Sequence, residues 1–276
     1  MSDFDFKVIN AEEEIQHIVD EIRKYFVKNG NKDTKAVIGI SGGKDSTIAA
    51  ALLVRALGAE RVVGVMMPEG TQKDIHDSQE VCDILDIEAY TINIGDAVQA
   101  LYGGLIPVRA QSEIDGPLPA IVTTNTPARI RMTTLYAVAG LVGGRVINTG
   151  NKSELYIGYT TKYGDLAGDF AIFKDYCIRE VLEIGDNLDE LPAHLVHKAP
   201  GDGMSGKTDE DNTGIPYDVL DAYLLDEVIP EYDILRKIEE RHNKNLHKRD
   251  ICMPYIRIRT RAWHENSNKE ESPFSF

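Results

Sequence analysis

A short and wholly apolar segment, AVIGI at residues 36–40, constrains the fold more than any other feature of the chain. Such a segment is typical of a strand that is buried on both faces, as in a parallel sheet. Similar strand patterns recur after it, each separated from the next by a helix-like pattern. Strands are also predicted at 61–67, 88–94 and 145–150, and helices at 11–28, 46–57, 74–85 and 127–144. This alternation predicts an α/β fold in which a doubly wound parallel sheet is flanked by helices.

The regular alternation stops in the second half of the chain. Helical patterns return at 175–184 and 217–243, but the stretch KAPGDGMSGKTDEDNTG between them, at 198–214, has no periodicity. So long a segment without a pattern is typical of a functional lid or a disordered insert. We therefore predict a single domain over residues 1–264 with a mobile flap at about 198–214, followed by a loose polar tail at 265–276.

Net charge and cysteine spacing argue against several classes of protein. The chain has 276 residues and a formal net charge of -15. So acidic a chain repels polyanions on average, which argues against extended nucleic-acid binding. No segment approaches the roughly 18 consecutive apolar residues of a membrane span, and the first residues do not resemble a signal peptide. Cys82, Cys177 and Cys252 are far apart and suggest neither a disulfide framework nor a zinc site, so we expect a cytoplasmic protein.

The segment SGGKDS, residues 41–46, directly follows the first apolar strand and opens the next predicted helix. It is not a Walker A loop, because the spacing from Gly39 to Lys44 is one residue too short and Asp45 stands where that loop has a hydroxyl residue. The two glycines allow the backbone to approach an anion closely, and the free N–H groups at a helix start bind one. A carboxylate at Asp45 is compatible with phosphates if a metal ion lies between them. The segment therefore predicts an anion-binding loop at which Asp45 can hold Mg²⁺.

SGGKDS resembles the SGGxDS pyrophosphate loop of the N-type ATP pyrophosphatases. Further motifs follow in order and are similar to those of the ammonia-dependent NAD synthetases over most of the chain. They are PEGTQKD (68–74), TPARIRM (126–132), TGNKSE (149–154), TKYGD (161–165), GKTDE…GIPYDVLD (206–221) and LHKR (246–249). The resemblance implies an adenine-nucleotide alpha-hydrolase-like fold and cleavage of ATP between its α- and β-phosphates.

The resemblance also implies a reaction and its reactants. The carboxylate of deamido-NAD, which is nicotinic acid adenine dinucleotide, is adenylated by ATP, and ammonia then displaces AMP to give NAD. Pyrophosphate is the other product, and Mg²⁺ is the cofactor. The family forms homodimers, and ammonia is expected to be free or to come from a separate glutaminase.

Residue roles on the ATP side follow from the resemblance, position by position. The ATP phosphates are expected at Gly39, Ile40, Ser41, Gly42, Gly43, Lys44 and Ser46, and Thr149 is expected to contact ATP. Lys44 is expected to contribute its backbone only. Asp45 and Glu154 are the expected Mg²⁺ ligands, and Asp45 is also a candidate catalytic residue.

On the side of the acid substrate, Asp165 is the candidate for binding ammonium and removing its proton. The residues expected to contact deamido-NAD are Arg129, Lys162, Asp169, His247 and Lys248. His247 and Lys248 could act from a partner subunit.

Three of these positions also have a simpler structural interpretation. Arg129 could belong to a solvated helix face, Glu154 could be a helix-entry acid, and Asp165 could be a turn residue. Two other functions stay open on the sequence alone. The chain could be another adenylating amidotransferase or thiolase of the same superfamily, or a nucleotide sensor without catalysis.

The chain departs from the family pattern at two positions. Ile178 stands where a lysine that contacts ATP is usual, and Gly201 stands where a flap hydroxyl is usual. The candidates to replace the lysine are Lys174, Arg179, Lys198 and Lys207, and the candidates to replace the hydroxyl are Ser205 and Thr208.

Overall fold

The computed structural model describes residues 7–72, 75–112, 115–198, 208–249 and 255–263. Its strands are β1 (Lys7–Val8), β2 (Lys35–Gly39), β3 (Val62–Met66), β4 (Glu88–Thr91), β5 (Gly144–Asn148), β6 (Phe170–Ala171) and β7 (Ala262–Trp263). Its helices are α1 (Ala11–Asn29), α2 (Lys44–Leu57), α3 (Ile75–Ile84), α4 (Gly95–Gly104), α5 (Ile106–Gln111), α6 (Ala120–Val142), α7 (Lys152–Ile157), α8 (Ile178–Asp186), α9 (Ala193–Val196), α10 (Asp209–Thr213), α11 (Tyr217–Leu225) and α12 (Tyr232–Lys244).

Five parallel strands form the central sheet, in the order β4-β3-β2-β5-β6. The chain first moves outward from β2 to β3 and β4, and then returns to the other side of β2 to place β5 and β6. The strand order therefore reverses between β2 and β5, and a crevice for a ligand forms at the carboxyl ends of these two strands. The predicted α/β fold with a doubly wound parallel sheet is confirmed.

Apolar cores cover both faces of this sheet, which explains why residues 36–40 are wholly apolar. Ala36 and Ile38 pack against α1 and α2, whereas Val37 points to the opposite face and packs against α6. All three side chains are fully buried. Because β2 is fixed from both sides, the loop that follows it is held at a defined place above the sheet.

Helix α6 begins seven residues before Pro127, where the sequence predicted its start. Proline has no backbone N–H and so leaves the carbonyl of Thr123 without its helical partner. The hydroxyl of Tyr102, on α4, donates to that carbonyl at 3.4 Å. A contact from another helix thus supports the longer helix, and local sequence rules did not reveal it.

Other parts of the helix prediction also need correction. The structure has α4 and α5, which the sequence did not predict, and it divides the helix predicted at 217–243 into α11 and α12. Most of the predicted flap, residues 199–207, and the predicted tail at 265–276 lie outside the described residues. The described end of the flap forms α10, whose first turn is capped by the Thr208 hydroxyl.

The described end of the chain, residues 255–263, is tied to the first helix through a buried carboxylate. Glu14 accepts hydrogen bonds from the Tyr176 hydroxyl at 2.7 Å and from the Thr260 hydroxyl at 2.7 Å. The short strand β7 also pairs antiparallel with β1. Within the described ranges, no helix combines the length and the apolar character needed to cross a membrane.

Candidate functional site

Two loops meet where the strand order reverses, one after β2 and the other after β5. A hydrogen bond joins them, because the side-chain amide of Asn151 donates to Asp45 Oδ1 at 3.2 Å. Thr149 lies at the start of the second loop, directly after β5. The segments SGGKDS and TGNKSE are far apart in sequence, and the parallel pairing of β2 with β5 brings them together.

The loop after β2 is held in shape by its own side chains. Gly42 has a φ of 73°, in the left-handed region that favours glycine, and an added Cβ would lie only 3.0 Å from the Cβ of Asp77. The Ser46 hydroxyl donates to the Gly43 carbonyl at 3.0 Å and accepts from the Ser41 N–H at 3.3 Å. Helix α2 begins immediately afterwards, so the loop presents a helix N-terminus that is suited to an anion.

Gly39 and Ile40 lead into this loop and are fixed by the sheet. Gly39 is the last residue of β2, and the Ile40 N–H donates to the Val65 carbonyl at 3.0 Å. The sheet therefore sets the position from which the predicted phosphate loop departs.

The two predicted metal ligands, Asp45 and Glu154, are both hydrogen-bonded to Asn151 and lie close enough for the charge of Asp45 to act on Glu154. Glu154 also closes a capping box with Asn151: its Oε2 accepts from the Asn151 N–H at 3.2 Å, and Asn151 Oδ1 accepts from the Glu154 N–H at 3.0 Å. The helix-entry interpretation of Glu154 is therefore confirmed, and its metal role stays a prediction. Desolvation and the nearby charge of Asp45 raise the pKa of Glu154 to about 8, against the opposing effect of Lys44.

The donor set at this place fits Mg²⁺ bound together with a nucleotide. Two carboxylates, in the first turns of α2 and α7, provide the hard oxygen ligands that Mg²⁺ prefers. Desolvation and the charge of Asp45 disfavour the ionised form of Glu154, and a cation bound between the two side chains would favour it. Among the described residues, no group of three His, Cys, Asp or Glu side chains is arranged to hold a metal ion. Mg²⁺ commonly takes one or two carboxylates and completes its shell with water and substrate phosphates.

Two further residues at this site had no predicted role. Asp209 on α10 lies close enough to Glu154 to contribute to its raised pKa. Glu154 and Asp209 in turn contribute to the raised pKa of Tyr217 on α11. Tyr217 is 4% exposed, and its hydroxyl has no hydrogen-bond partner among the described residues. Both residues lie in the motif at 206–221. The sequence revealed this motif, but it did not reveal that the fold places the motif beside Glu154.

Asp165 lies in a tight turn; the residue as a whole is exposed, but protein atoms surround its carboxyl group. Its Oδ1 accepts a hydrogen bond from the Thr161 N–H at 2.5 Å, which confirms that it also has the structural role of a turn residue. Surrounding protein atoms desolvate the carboxyl and raise its pKa to about 6, although the Thr161 hydrogen bond and Lys248 oppose the shift. A carboxyl with this pKa can change its protonation state near neutral pH.

The predicted cationic residues contact backbone carbonyls. The Lys248 ammonium donates to the carbonyls of Gly158 and Thr160, at 2.8 Å and 2.7 Å. The Lys162 ammonium donates to the carbonyl of His247. Together these bonds join the segment before Asp165 to the segment at 246–249.

Arg129 lies on α6 and is exposed, as its simpler interpretation predicts. Its guanidinium nevertheless donates to the carbonyl of Lys162 at 3.3 Å. His247 is exposed and lies in a short 3-10 turn at Leu246–Lys248. The roles predicted for these residues towards deamido-NAD stay predictions.

Asp169 is engaged within the chain. Its Oδ2 accepts from the Val146 N–H at 2.8 Å and its Oδ1 from the Tyr136 hydroxyl at 3.3 Å. Its backbone N–H donates to the Val146 carbonyl at 2.7 Å. The carboxylate therefore supports β5, and its predicted contact with deamido-NAD would have to share these oxygens.

The candidates to replace the missing lysine differ in their positions. Lys198 pairs with Asp77 Oδ2 at 2.5 Å, and Asp77 lies against Gly42 of the phosphate loop. Arg179 forms a bidentate pair with Asp226, at 2.7 and 2.9 Å. Lys198 is therefore connected to the phosphate loop through Asp77, whereas the side chain of Arg179 is paired with Asp226. Lys207, Gly201 and Ser205 lie outside the described residues.

A family comparison decides between the superfamily members left open by the sequence. The NAD synthase family model matches residues 14–252. The chain belongs to the NAD synthase family. The predicted resemblance is thereby confirmed, and the fold and the motif order agree with this membership.

Individual relatives are similar to this chain over different lengths. The NH(3)-dependent NAD(+) synthetase of Methanococcoides burtonii is 42% identical over 192 residues, which cover 68% of this chain and 70% of that protein. The glutamine-dependent NAD(+) synthetase of Thermotoga maritima is 34% identical, and the match covers 92% of this chain but 46% of that protein. The structure of NMN synthetase from Francisella tularensis has a TM-score of 0.78 at 33% identity, covering 88% of this chain and 98% of that chain.

Proposed function

We propose that this protein catalyses the ATP-dependent amidation of deamido-NAD to NAD, with ammonia as the nitrogen donor and AMP and pyrophosphate as products. The observation that carries the proposal is the pair Asp45 and Glu154, held together by Asn151 beside a glycine loop at the switch point of the sheet. A sensor that only binds nucleotide has no need for two carboxylates close to one another, because their repulsion is unfavourable without a cation.

The ATP side of the site directs attack to the α-phosphorus. The loop at 41–46 and the N-terminus of α2 hold the β- and γ-phosphates, which leaves the α-phosphorus open to a carboxylate of the acid substrate. When bound, Mg²⁺ supplies charge neutralisation between the phosphates and the pair Asp45 and Glu154. We expect Lys198, which pairs with Asp77 beside the loop, to contribute positive charge where the family's usual lysine is replaced by Ile178.

The second half of the reaction needs a neutral nitrogen nucleophile. Ammonium cannot attack the adenylated carboxyl until it has lost a proton. Asp165 attracts the cation as a carboxylate, and its pKa of about 6 keeps it ionised at neutral pH. Its Oδ1 accepts from the Thr161 N–H, and the carboxyl also accepts hydrogen bonds from the backbone of Leu166 and Asp165, which hold it in place.

We further propose that the protein is a cytoplasmic homodimer that uses free ammonia or ammonia from a separate glutaminase. Large apolar side chains on α4, α5 and α6 are exposed, which supports an interface there. They are Leu101, Ile106, Val108, Ile121 and Leu141. Light scattering tests this: we expect twice the chain mass, and Ile121→Glu should shift the mass towards that of one chain.

The test of the function is NAD formation from deamido-NAD, ATP and Mg²⁺, with ammonium chloride or glutamine as nitrogen source. We expect NAD with ammonium, accompanied by one AMP and one pyrophosphate per NAD, and none with glutamine alone. AMP without NAD would instead favour another adenylating enzyme of the superfamily. Bound ATP without any turnover would favour a nucleotide sensor.

A second candidate substrate is nicotinic acid mononucleotide, which would be amidated to NMN by the same chemistry. It is favoured by the likeness to NMN synthetase from Francisella tularensis and by Asp169, whose two oxygens are already used within the chain. The ratio of the kcat/KM values for deamido-NAD and the mononucleotide decides which acid is the preferred substrate. A higher value for deamido-NAD supports the main proposal, and a higher value for the mononucleotide supports the second.

A further inference from the structure

We propose that the Lys44 ammonium stands in for the divalent cation when no nucleotide is bound, so that the metal binds at Asp45 and Glu154 together with ATP and not before it. The inference rests on the metal role proposed above for these two carboxylates. It concerns the side chain of Lys44, a residue for which only a backbone role was predicted.

The geometry places the ammonium on the metal ligand itself. Lys44 is the first residue of α2, yet its side chain does not extend into solvent and is 5% exposed. Its Nζ lies 2.8 Å from Asp45 Oδ2, while Asp45 Oδ1 accepts from Asn151. Both oxygens of Asp45 therefore already accept a hydrogen bond, and a metal ion that binds Oδ2 must displace the ammonium or lie against its positive charge.

The charges around Lys44 favour this position. Asp45, Glu154 and Asp209 all act on the ammonium, so one positive charge faces three acidic side chains. A lysine is rarely buried unless it is paired, and at this depth its attraction to the carboxylates is only weakly screened. The ammonium partly neutralises the cluster but leaves room for further positive charge.

The difference between the two cations explains the order of binding. Mg²⁺ gives up its water reluctantly and usually needs phosphate oxygens in addition to one or two carboxylates. It is therefore a poor competitor for an ammonium that is covalently attached beside Oδ2. The phosphates of ATP change this balance, because they complete the metal's shell and offer the ammonium a new anionic partner at the same helix N-terminus.

Mn²⁺ binding to the nucleotide-free protein, measured by electron paramagnetic resonance of the free ion, tests the inference directly. We compare the wild type with Lys44→Gln, with Lys44→Met as a second variant, and with Lys35→Gln as a control. Lys35 pairs with Glu88 at 2.6 Å on the exposed surface, so its loss changes the net charge by the same amount outside the cluster.

We expect Mn²⁺ to bind at least tenfold more tightly to a folded Lys44 variant than to the wild type, and the control to match the wild type. Addition of a non-hydrolysable ATP analogue should bring the wild type close to the variants. Equal Mn²⁺ affinity in the wild type and both Lys44 variants would overturn the inference. If no protein binds Mn²⁺ even with the analogue, the metal role of Asp45 and Glu154 is wrong and the inference is lost with it, while the NAD assay still decides the function.

Discussion

The ATP side and the acid-substrate side of the site are built in different ways. On the ATP side, residues close in sequence bond to each other, as Ser41, Gly43 and Ser46 do within one loop. On the other side, Lys162 and Lys248 bond to carbonyls 85 and 90 positions away. A loop held by its own neighbours is visible in the sequence as a motif, whereas a site held by distant backbone carbonyls is not.

The carboxylates on the two sides also differ electrostatically. Glu154 has a pKa raised to about 8, with the charge of Asp45 as its second cause after desolvation. Asp165 has a pKa raised to about 6 by desolvation, and no other carboxylate is among its causes. A cation would stabilise the ionised pair Asp45 and Glu154. Asp165 is instead a single carboxyl whose raised pKa allows it to exchange a proton near neutral pH.

The largest effect is expected when one carboxylate of the pair Asp45 and Glu154 is neutralised on the ATP side. Glu154→Gln or Asp45→Asn deprives the metal of a ligand, and we expect the rate of AMP formation to fall by about 10³-fold or more, equivalent to roughly 4 kcal/mol of transition-state stabilisation. AMP and pyrophosphate release measure it. Glu190→Gln, which breaks a surface pair with Arg55, is the matched control and should leave the rate unchanged. Near-normal AMP formation in either variant would remove that residue from the site.

Asp165→Asn should affect only the second half of the reaction. Loss of the base is expected to lower kcat with ammonium by about 10²-fold, while exchange of labelled pyrophosphate into ATP, which reports adenylation, continues. In the wild type, activity should fall below about pH 6, because a base with this pKa becomes protonated there. A parallel loss of exchange and amidation in the variant would show that Asp165 acts through its turn alone.

Lys248→Met tests whether the cationic side chains shape the acid-substrate side. The variant loses two hydrogen bonds to the carbonyls of Gly158 and Thr160, and we expect KM for the acid substrate to rise by about tenfold, roughly the value of one such charged hydrogen bond. KM for ATP should stay near that of the wild type, since the ATP loop has its own bonds. Lys248→Arg, which keeps the charge and a donor, should recover part of the loss. An equal rise in both KM values would contradict the separation of the two sides.

Asp221→Asn should give the smallest effect, and on stability alone. Asp221 is 2% exposed and accepts from the Ser153 hydroxyl and from the Arg179 N–H at 2.7 Å, and desolvation raises its pKa to about 6. Because the folded state holds this proton more tightly than the unfolded state, Asp221 stabilises the wild type more as the pH falls through 6. The stability advantage of the wild type over the variant should therefore grow by about 1 kcal/mol between pH 7 and pH 5. Urea unfolding at both pH values measures it, and an advantage that shrinks towards pH 5 would contradict the assignment.

The sequence predicted those parts of the molecule that depend on local physics. The buried strand at 36–40, the glycine loop after it and the pair Asp45 and Glu154 all follow from short motifs and from the rule that parallel strands align their carboxyl ends. The side chain of Lys44, the engagement of Asp169 with β5 and the approach of Tyr217 depend on packing between distant segments. No single-sequence pattern encodes such contacts, and the start of α6 was misplaced for the same reason.

Transfer of ¹⁸O from the labelled carboxylate of the acid substrate tests the central claim, attack on the α-phosphorus, most directly. The account predicts that AMP gains one ¹⁸O atom for each amide formed, because the carboxylate oxygen stays with the departing AMP. Pyrophosphate should remain unlabelled. Label in inorganic phosphate, with ADP as the other product, would show attack on the γ-phosphorus and would contradict the account.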